Sequence, residues 1–584
     1  MRSLLPWITL CLLPTLGFGA IYEDASQLPH NEYDFVVIGG GTAGNVIANR
    51  LTEIPDVSVL VLEAGVSNEG ILTIEVPAFG YMLPGTQVDW NYTVTVIGNR
   101  TSPYARGFVL GGSSCLNGMV YTRGSAEDWD RYAEITGDQG WSWDSIQHYI
   151  RKNERFSPPA DHHNTSGEFD PSVHGFHGIH GVSLNGFRHE MEDFAINASK
   201  EEGSFVLDYN AGWGQSTIAN GTRSSSSTTY LGPQFINRPN LDVLLHAHVT
   251  RIISNNSTDN LTFHSVEFSQ DAGESFLTVN ATKEIVLSGG TIGTAQILMN
   301  SGVGDTDALS QLGIEPLLHL PSVGQNLTDQ PIVVYPFIAN TNDTDDIIHA
   351  NDTLREELLH QWNETHTGPL VDPDILLFGW FRLPDNSSIY ETQKDPSAGP
   401  NTAQIEWVFV NGAFVAPPDD VHNFISVSPQ IVSPASRGSI TLNTSNPFDH
   451  PIIDLNLLSS DFDLFALRQG LRDVERFMKS PIFDGFIQGP GIPINSTTPD
   501  DQVDDYIRST TLGTFHVAGT AAMSAKDADW GVLNPDLKLK GAEGIRVVDA
   551  SIFPVIPAAH TQAPTYIVAE RAADLIKATW NLAV

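Results

Sequence analysis

The run Gly39-Gly40-Gly41-Thr42-Ala43-Gly44 has the residue types and spacing of a turn that wraps a pyrophosphate. Gly39 permits the tight turn, Gly41 lets the backbone approach phosphate oxygens, and Gly44 lets the next helix pack closely on the strand before it. Glu63 follows about twenty residues later, where a carboxylate accepts ribose hydroxyls. The chemistry these residues support is the binding of an adenine dinucleotide. A second cluster, His162, His163, His174, His177 and His180, lies in a His-, Gly-, Pro- and Asp-rich stretch from Ser157 to Ser183. It reads as exposed loop histidines. No Cys/His group has metal-ligand spacing, so no metal is expected.

The glycine turn needs a strand before it and a helix after it. Asp34-Phe35-Val36-Val37-Ile38 is a β-branched apolar run that reads as a buried parallel strand. Ala43 to Glu53 reads as a helix, and Val57 to Leu62 as the next strand. Farther on, Gly111-Gly112-Ser113-Ser114 opens a Gly/Ser-rich loop whose backbone can pass close to a flat ligand. Ala126 to Lys152 reads as helical. Strands are expected over Ala247–Ile253, Leu261–Phe268 and Glu284–Ser288, the last entering another glycine turn and a helix through Met299. From about Leu327 to Ala528 short alternating stretches separated by Pro/Asn/Asp-rich turns indicate an antiparallel sheet. The end of the chain returns to α/β character, with a strand over Gly544–Asp549 and a helix over Pro564–Lys577.

A length of 584 residues implies two or more domains. The net charge of −39 excludes nucleic acid as a partner and disfavours anionic membranes. Arg2, the apolar stretch Leu4 to Leu16 and the small residues to Ala20 form a secretory leader over residues 1–20. About sixteen Asn-x-Ser/Thr acceptors fit a secreted glycoprotein. Asn164, Asn197, Asn220, Asn280, Asn342, Asn351, Asn363 and Asn443 are among them, and Asn91 is expected to go unused beside internal neighbours. Of two cysteines Cys11 lies in the leader, which leaves Cys115 without a disulfide partner.

Four blocks then resemble the glucose–methanol–choline (GMC) oxidoreductases. They are the glycine turn, Gly111-Gly112-Ser113-Ser114 with Asn117-Gly118, Gly290 with Ser301-Gly302-Val303-Gly304, and His516, Asp549 and His560. Ala295 departs from the Pro or Ser usual there. Asp89-Trp90-Asn91-Tyr92, Arg223 to Thr228 and Phe515-His516 look most like the fungal aryl-alcohol oxidases. The resemblance implies an α/β fold with a Rossmann-like FAD-binding domain (34–150, 226–326, 529–584). It also implies an α+β substrate domain with a mainly antiparallel sheet (151–225, 327–528).

By the same resemblance Gly39, Gly41, Thr42, Ala43, Gly44, Glu63 and Ala64 hold the ADP part of FAD, and the Val249 backbone meets the adenine. Trp90, Gly112, Ser114, Asn117, Gly118, Met119 and Val120 lie along the flavin, and Asp549, Ala550, Thr561 and Gln562 close the site. Leu116 stands where some relatives tether the flavin through a histidine, so FAD is expected to be noncovalent. Removing a hydroxyl proton during alcohol oxidation needs a base, and imidazole, with a pKa near ~6.5, suits this. His516 is the expected base and His560 its partner on the alcohol oxygen, an assignment open to reversal. Tyr92, Phe515 and Phe414 would stack on a flat substrate. The expected activity is a secreted, monomeric oxidase of aromatic primary alcohols, giving aldehyde and hydrogen peroxide. A quinone-dependent or sugar-oxidising dehydrogenase and a non-redox hydroxynitrile lyase are the alternatives.

Overall fold

The computed structural model describes residues 20–203, 212–254, 261–414 and 423–583. The expected leader, save Ala20, lies outside the described residues.

Strands β1 (Ile21–Tyr22), β2 (Glu32–Ile38), β3 (Val59–Leu62), β4 (Leu241–Leu244), β5 (His248–Ser254), β6 (Phe263–Ser269), β7 (Leu277–Leu287) and β8 (Ile545–Val547) form one sheet. Its order is β1-β4-β3-β2-β7-β6-β5, with β8 paired to β7. The β1-β4-β3-β2-β7 run and the β7–β8 pair are parallel, while β7-β6-β5 is antiparallel. Val36 sits between Leu60 and Ile285, all fully buried. Such β-branched and Leu runs are covered on both faces, as a central parallel sheet requires. Three helices start at its carboxyl edge: α1 (Gly44–Leu51), α2 (Gly290–Asn300) and α3 (Gln562–Thr579). Buried Glu570 of α3 takes Arg50 of α1 through two nitrogens, at 2.8 and 2.7 Å, which fixes the two helices together.

A second eight-stranded sheet is antiparallel. It runs Ile487–Pro490, Pro336–Ala339, Asn423–Ile431, Ile405–Val410, Ile375–Phe381, Gly212–Trp213, and Pro331–Ile332 and Leu512–Gly513 pair beside it. The helix Asp461–Met478 covers one face, where Phe477 meets Trp407 and Phe409. The hairpin of Tyr92–Ile97 and Arg100–Tyr104 joins Ser439–Thr441 and Ile452–Asp454 in a smaller four-stranded sheet.

Several local readings are corrected. Ala126 to Lys152 is two helices, Ala126–Thr136 and Trp143–Asn153, because Gly137 caps the first in a left-handed conformation. The stretch Ser157 to Ser183 is not all loop, since His180–Leu184 is a buried strand beside Glu154–Phe156. Accordingly His174 and His180 are buried, and burial pushes His180 down to about 3. Asn91 is exposed, although Tyr92 beside it is buried and Trp90 half-buried. Cys115 is a buried free thiol. Among the described residues no helix is long and apolar enough to cross a membrane, and no group of three His, Cys, Asp or Glu could hold a metal.

Candidate active site

A cavity of about 490 Å³ opens where the carboxyl edge of the first sheet meets the second. Gly39 (φ +97°) turns off the end of β2 into α1, and a Cβ at Gly44 would lie 2.0 Å from the Gly39 carbonyl oxygen. Only glycine permits that approach of helix to strand. A Cβ at Gly41 would meet nothing nearer than Gly112 Cα at 3.9 Å, so this backbone faces open space. Gly41, Thr42 and Ala43 at the head of α1, Gly290 at that of α2 and Thr561 and Gln562 at that of α3 all line the cavity. Three helix N-termini thus bring N–H groups and positive dipole ends to one space, a setting for phosphates.

Glu63 stands on the same wall, its carboxylate accepting from the amides of Gly40 at 2.9 Å and Gly65 at 2.8 Å. Burial outweighs these bonds and pushes its acid up to about 7. Asp549 accepts from the Gly290 amide at 3.0 Å and the Thr294 hydroxyl at 2.6 Å, which pins β8 to the second glycine turn. Ser288 and Asn300 line this space, and Ser288 Oγ and Asn300 Oδ1 are buried without a protein partner among the described residues. The glycine cradle, helix ends, acid and unpaired polar atoms fit an FAD-sized dinucleotide.

Every site residue inferred from the sequence lines this cavity except Gly44 and Ser114. Gly44 acts through packing, as just described. Ser114 is fully buried, its hydroxyl donating to the Gly111 carbonyl at 2.6 Å and accepting from the Ser226 amide at 2.9 Å. It shapes the loop rather than facing a ligand. Asn117 is tied to Gln562 at 2.7 Å and to buried Arg223, whose Nη1 reaches its carbonyl at 2.7 Å and its side-chain oxygen at 2.9 Å. Burial without a carboxylate partner lowers Arg223 to about 10.

His516 and His560, though 44 positions apart, meet with ring centroids 4.7 Å apart at 74°. His516 follows the strand Leu512–Gly513, and His560 precedes α3. Gln330 spends its amide nitrogen on the carbonyls of Val432, Pro557 and Ala559. Its oxygen is therefore the acceptor for His516 Nδ1, at 2.7 Å. Neutral His516 then carries its proton on Nδ1 and leaves the Nε2 lone pair free, a tautomer assigned from this network. Burial, His560 and the Arg106 guanidinium hold its pKa well below the ordinary imidazole value. His560 Nε2 lies 3.1 Å from Oε1 of fully buried Glu406, whose other oxygen has no partner among the described residues. A base with a free lone pair beside a carboxylate-held imidazole can take a hydroxyl proton and grip its oxygen.

Ile332, Ile375, Val408 and Leu512 of the second sheet also line the cavity, and the Phe378 ring lies 5.4 Å from that of His560. Phe515 and Phe414 line the cavity with exposed rings, and both adopt left-handed backbone conformations (φ +62° and +60°). An L-residue pays about 1–2 kcal/mol for this conformation. Tyr92 is buried, stacked on Trp90 at 5.7 Å.

Sequence reasoning did not find Glu406, Gln330 or Arg106. Glu406 had a signal, a lone charge within the apolar strand Ile405–Val410. Gln330 and Arg106 act through distant partners that spacing does not show.

Family models described as GMC oxidoreductase match residues 33–332 and 434–569. The chain is 39% identical to a pyranose dehydrogenase of Agaricus campestris, covering 96% of each. A formate oxidase of Aspergillus oryzae, solved for the effect of a mutation on FAD modification, superposes with a TM-score of 0.87 at 30% identity, over 94% of this chain and 99% of that one. A fungal aryl-alcohol oxidase superposes with a TM-score of 0.81 at 26% identity, over 94% and 100%.

Proposed function

We propose that this chain, which belongs to the GMC oxidoreductase family and so depends on FAD, oxidises primary alcohols, aromatic ones in preference, with His516 as the base. The observation that carries the reading is the free Nε2 of neutral His516 on a cavity wall shared with His560. When bound, FAD would supply the acceptor for the carbon-bound hydride, with oxygen as the final acceptor of the two electrons. The protein does the rest. His516 Nε2 takes the hydroxyl proton, because a neutral alcohol is a poor hydride donor. His560, held by Glu406, binds the alcohol oxygen. Gly39, Gly41, Thr42, Ala43, Glu63, Ala64, Val249 and Asp549 would hold the cofactor's nucleotide end. Trp90, Gly112, Asn117 to Val120, Ala550, Thr561 and Gln562 would hold the flavin. Leu116 offers no nucleophile for a tether, which supports noncovalent FAD.

The aromatic preference is supported by the rings of Phe515, Phe414 and Tyr92 on the wall. It is also supported by two polar side chains of the wall being used within the protein: the Gln430 amide and the Thr514 hydroxyl both donate to Gln330. A second reading, oxidation of a sugar with a quinone as acceptor, is favoured by the likeness to a pyranose dehydrogenase. An anaerobic panel of benzylic alcohols and pyranoses on the yellow protein, followed by air or a quinone, separates the two. Higher efficiency on a pyranose would replace the aromatic reading, and absence of bleaching by any alcohol would favour a lyase.

Export with N-glycosylation belongs to the same proposal. Asn164, Asn197, Asn220, Asn280, Asn342, Asn351, Asn363 and Asn443 are all exposed. Endoglycosidase should shift the mobility of native protein, and an unshifted band would reject this part.

A further inference from the structure

Arg106 and Asp329 grip the two ends of one peptide bond, the one joining Phe515 to His516. Arg106 Nη1 donates to the Phe515 carbonyl at 2.7 Å. The His516 amide donates to Asp329 Oδ1 at 2.9 Å. Asp329 is 2% exposed and is itself held from its other oxygen by the Tyr104 hydroxyl at 2.7 Å. The Tyr104 ring lies 4.8 Å from that of Phe515. A cation therefore meets the negative end of the peptide dipole and an anion the positive end. Both bonds are charge-assisted, the stronger class of hydrogen bond.

The peptide they hold is an unusual one. Phe515 is left-handed (φ +62°), a conformation that aromatic residues seldom adopt unless their surroundings impose it. Rotation of this plane would swing the imidazole of His516 away from Gln330, whose oxygen sets its tautomer, and would redirect the Phe515 ring. Arg106 lines the cavity, and its Phe515 contact is its one side-chain hydrogen bond among the described residues. The groups facing His516 are thus His560 with Glu406 behind it, Arg106, Gln330, Thr514, and Asp329 with Tyr104 on its backbone side.

We propose that Arg106 and Asp329 are positioning residues for the alcohol oxidation inferred above. They lock the Phe515–His516 peptide and so aim the base and the pocket ring together. The inference rests on that reading for its kinetic consequence but not for its geometry.

The test uses the FAD-loaded full chain, with Arg106→Met, Arg106→Lys, Asp329→Ala and Asp329→Asn. Flavin content and melting temperature are checked first, and Asp329→Asn with Arg106→Met carry the test if Asp329→Ala does not fold. Asp329→Asn keeps an oxygen for the His516 amide and should stay within about threefold of wild type in anaerobic flavin reduction by the best alcohol. Arg106→Met and Asp329→Ala should slow that step about 10- to 100-fold at saturating alcohol, with the half-saturating concentration changing far less. Arg106→Met should also move the acid limb of the rate to higher pH, since a cation facing His516 is gone. Arg106→Lys should move that limb back toward wild type. A wild-type rate with an unmoved limb in Arg106→Met overturns the proposal. If no alcohol reduces the wild type, the functional reading fails and the geometry is still decided by the crystal structure of Arg106→Met. A displaced 516 imidazole supports the lock, and an undisplaced one rejects it.

Discussion

The side-chain oxygen of Gln330 accepts the Nδ1 proton of His516 at 2.7 Å, and three backbone carbonyls keep that amide from flipping. A neutral amide thus sets the tautomer without adding the charge that would make the imidazole hold its second proton. Gln330→Leu removes the shorter of the two contacts of Nδ1–H and leaves it the Thr514 hydroxyl at 3.1 Å. The loss of such a partner costs about 1–3 kcal/mol, so flavin reduction in stopped flow should slow by about ten- to a hundredfold. An unchanged rate would show that the tautomer is set elsewhere.

His516→Ala should all but abolish reduction while FAD stays bound. General-base catalysis contributes about 10²–10⁴-fold. The fingerprint turn and three helix ends that fit the cofactor are untouched by the change. Single-turnover bleaching without oxygen isolates the step, and reduction near the wild-type rate would remove His516 from the mechanism.

The pH dependence follows from the depressed pKa of His516. The base works when neutral, and a lowered pKa keeps it neutral to more acidic pH. Reduction should therefore hold its plateau as pH falls through the ordinary imidazole value of ~6.5, and decline only well below it. A midpoint at or above 6.5 in the anaerobic pH profile would contradict the structure. His180 adds a stability effect of related sign. Its folded pKa is pushed down to about 3, so between that value and ~6.5 the unfolded chain binds the proton more readily. This contribution is present above ~6.5 and is lost as pH falls toward 3, which the urea midpoint across that range would report.

Glu406→Gln keeps the shape beside His560 but removes the charge that an imidazolium would balance. Reduction should slow by about tenfold or more, in line with the ~1.5–3 kcal/mol of hydrogen bonds to charged groups. Combined with His516→Ala the effects should not add, because both act on one oxygen and one proton. A fully additive double mutant, read in the same bleaching assay, would place Glu406 outside this unit.

Acid precipitation should release all the yellow colour into the supernatant, since Leu116 cannot form a bond to the flavin. Flavin left with the pellet would show attachment through another residue.

The glycine turn, the parallel strands and the third-glycine contact were legible because each depends on neighbours a few residues away. The antiparallel sheet was legible from the stretches Ala403 to Val410 and Asn423 to Ser428, which fall in paired strands, whereas Gly438 to Leu442 goes to the smaller four-stranded sheet. What was not legible depended on pairs remote in sequence. Nothing local shows that Arg106 reaches Phe515 or that Gln330 orients His516. His180 looked like a loop residue because its stretch is rich in His, Gly, Pro and Asp, yet it is fully buried with its ring 4.3 Å from that of Tyr566. Ser114 sits in a motif that the resemblance sets along the flavin, yet it is buried and holds the Gly111 turn.

Strand β8 carries a consequence for biosynthesis. It lies beside β7 in the parallel sheet, yet the ribosome delivers it only after the whole antiparallel sheet has been made. His560 and α3 come later still. A nascent chain therefore leaves the Ile285–Leu287 end of β7 without this neighbour from Leu287 until Ile545 is made, a little under half of the chain, and pairing of this long range is slow and prone to aggregation. Thr561 and Gln562 at the head of α3 line the cavity, so its wall is completed only after translation of that segment. Yield in a foreign host should then be limited by chaperone supply during elongation more than by flavin supply.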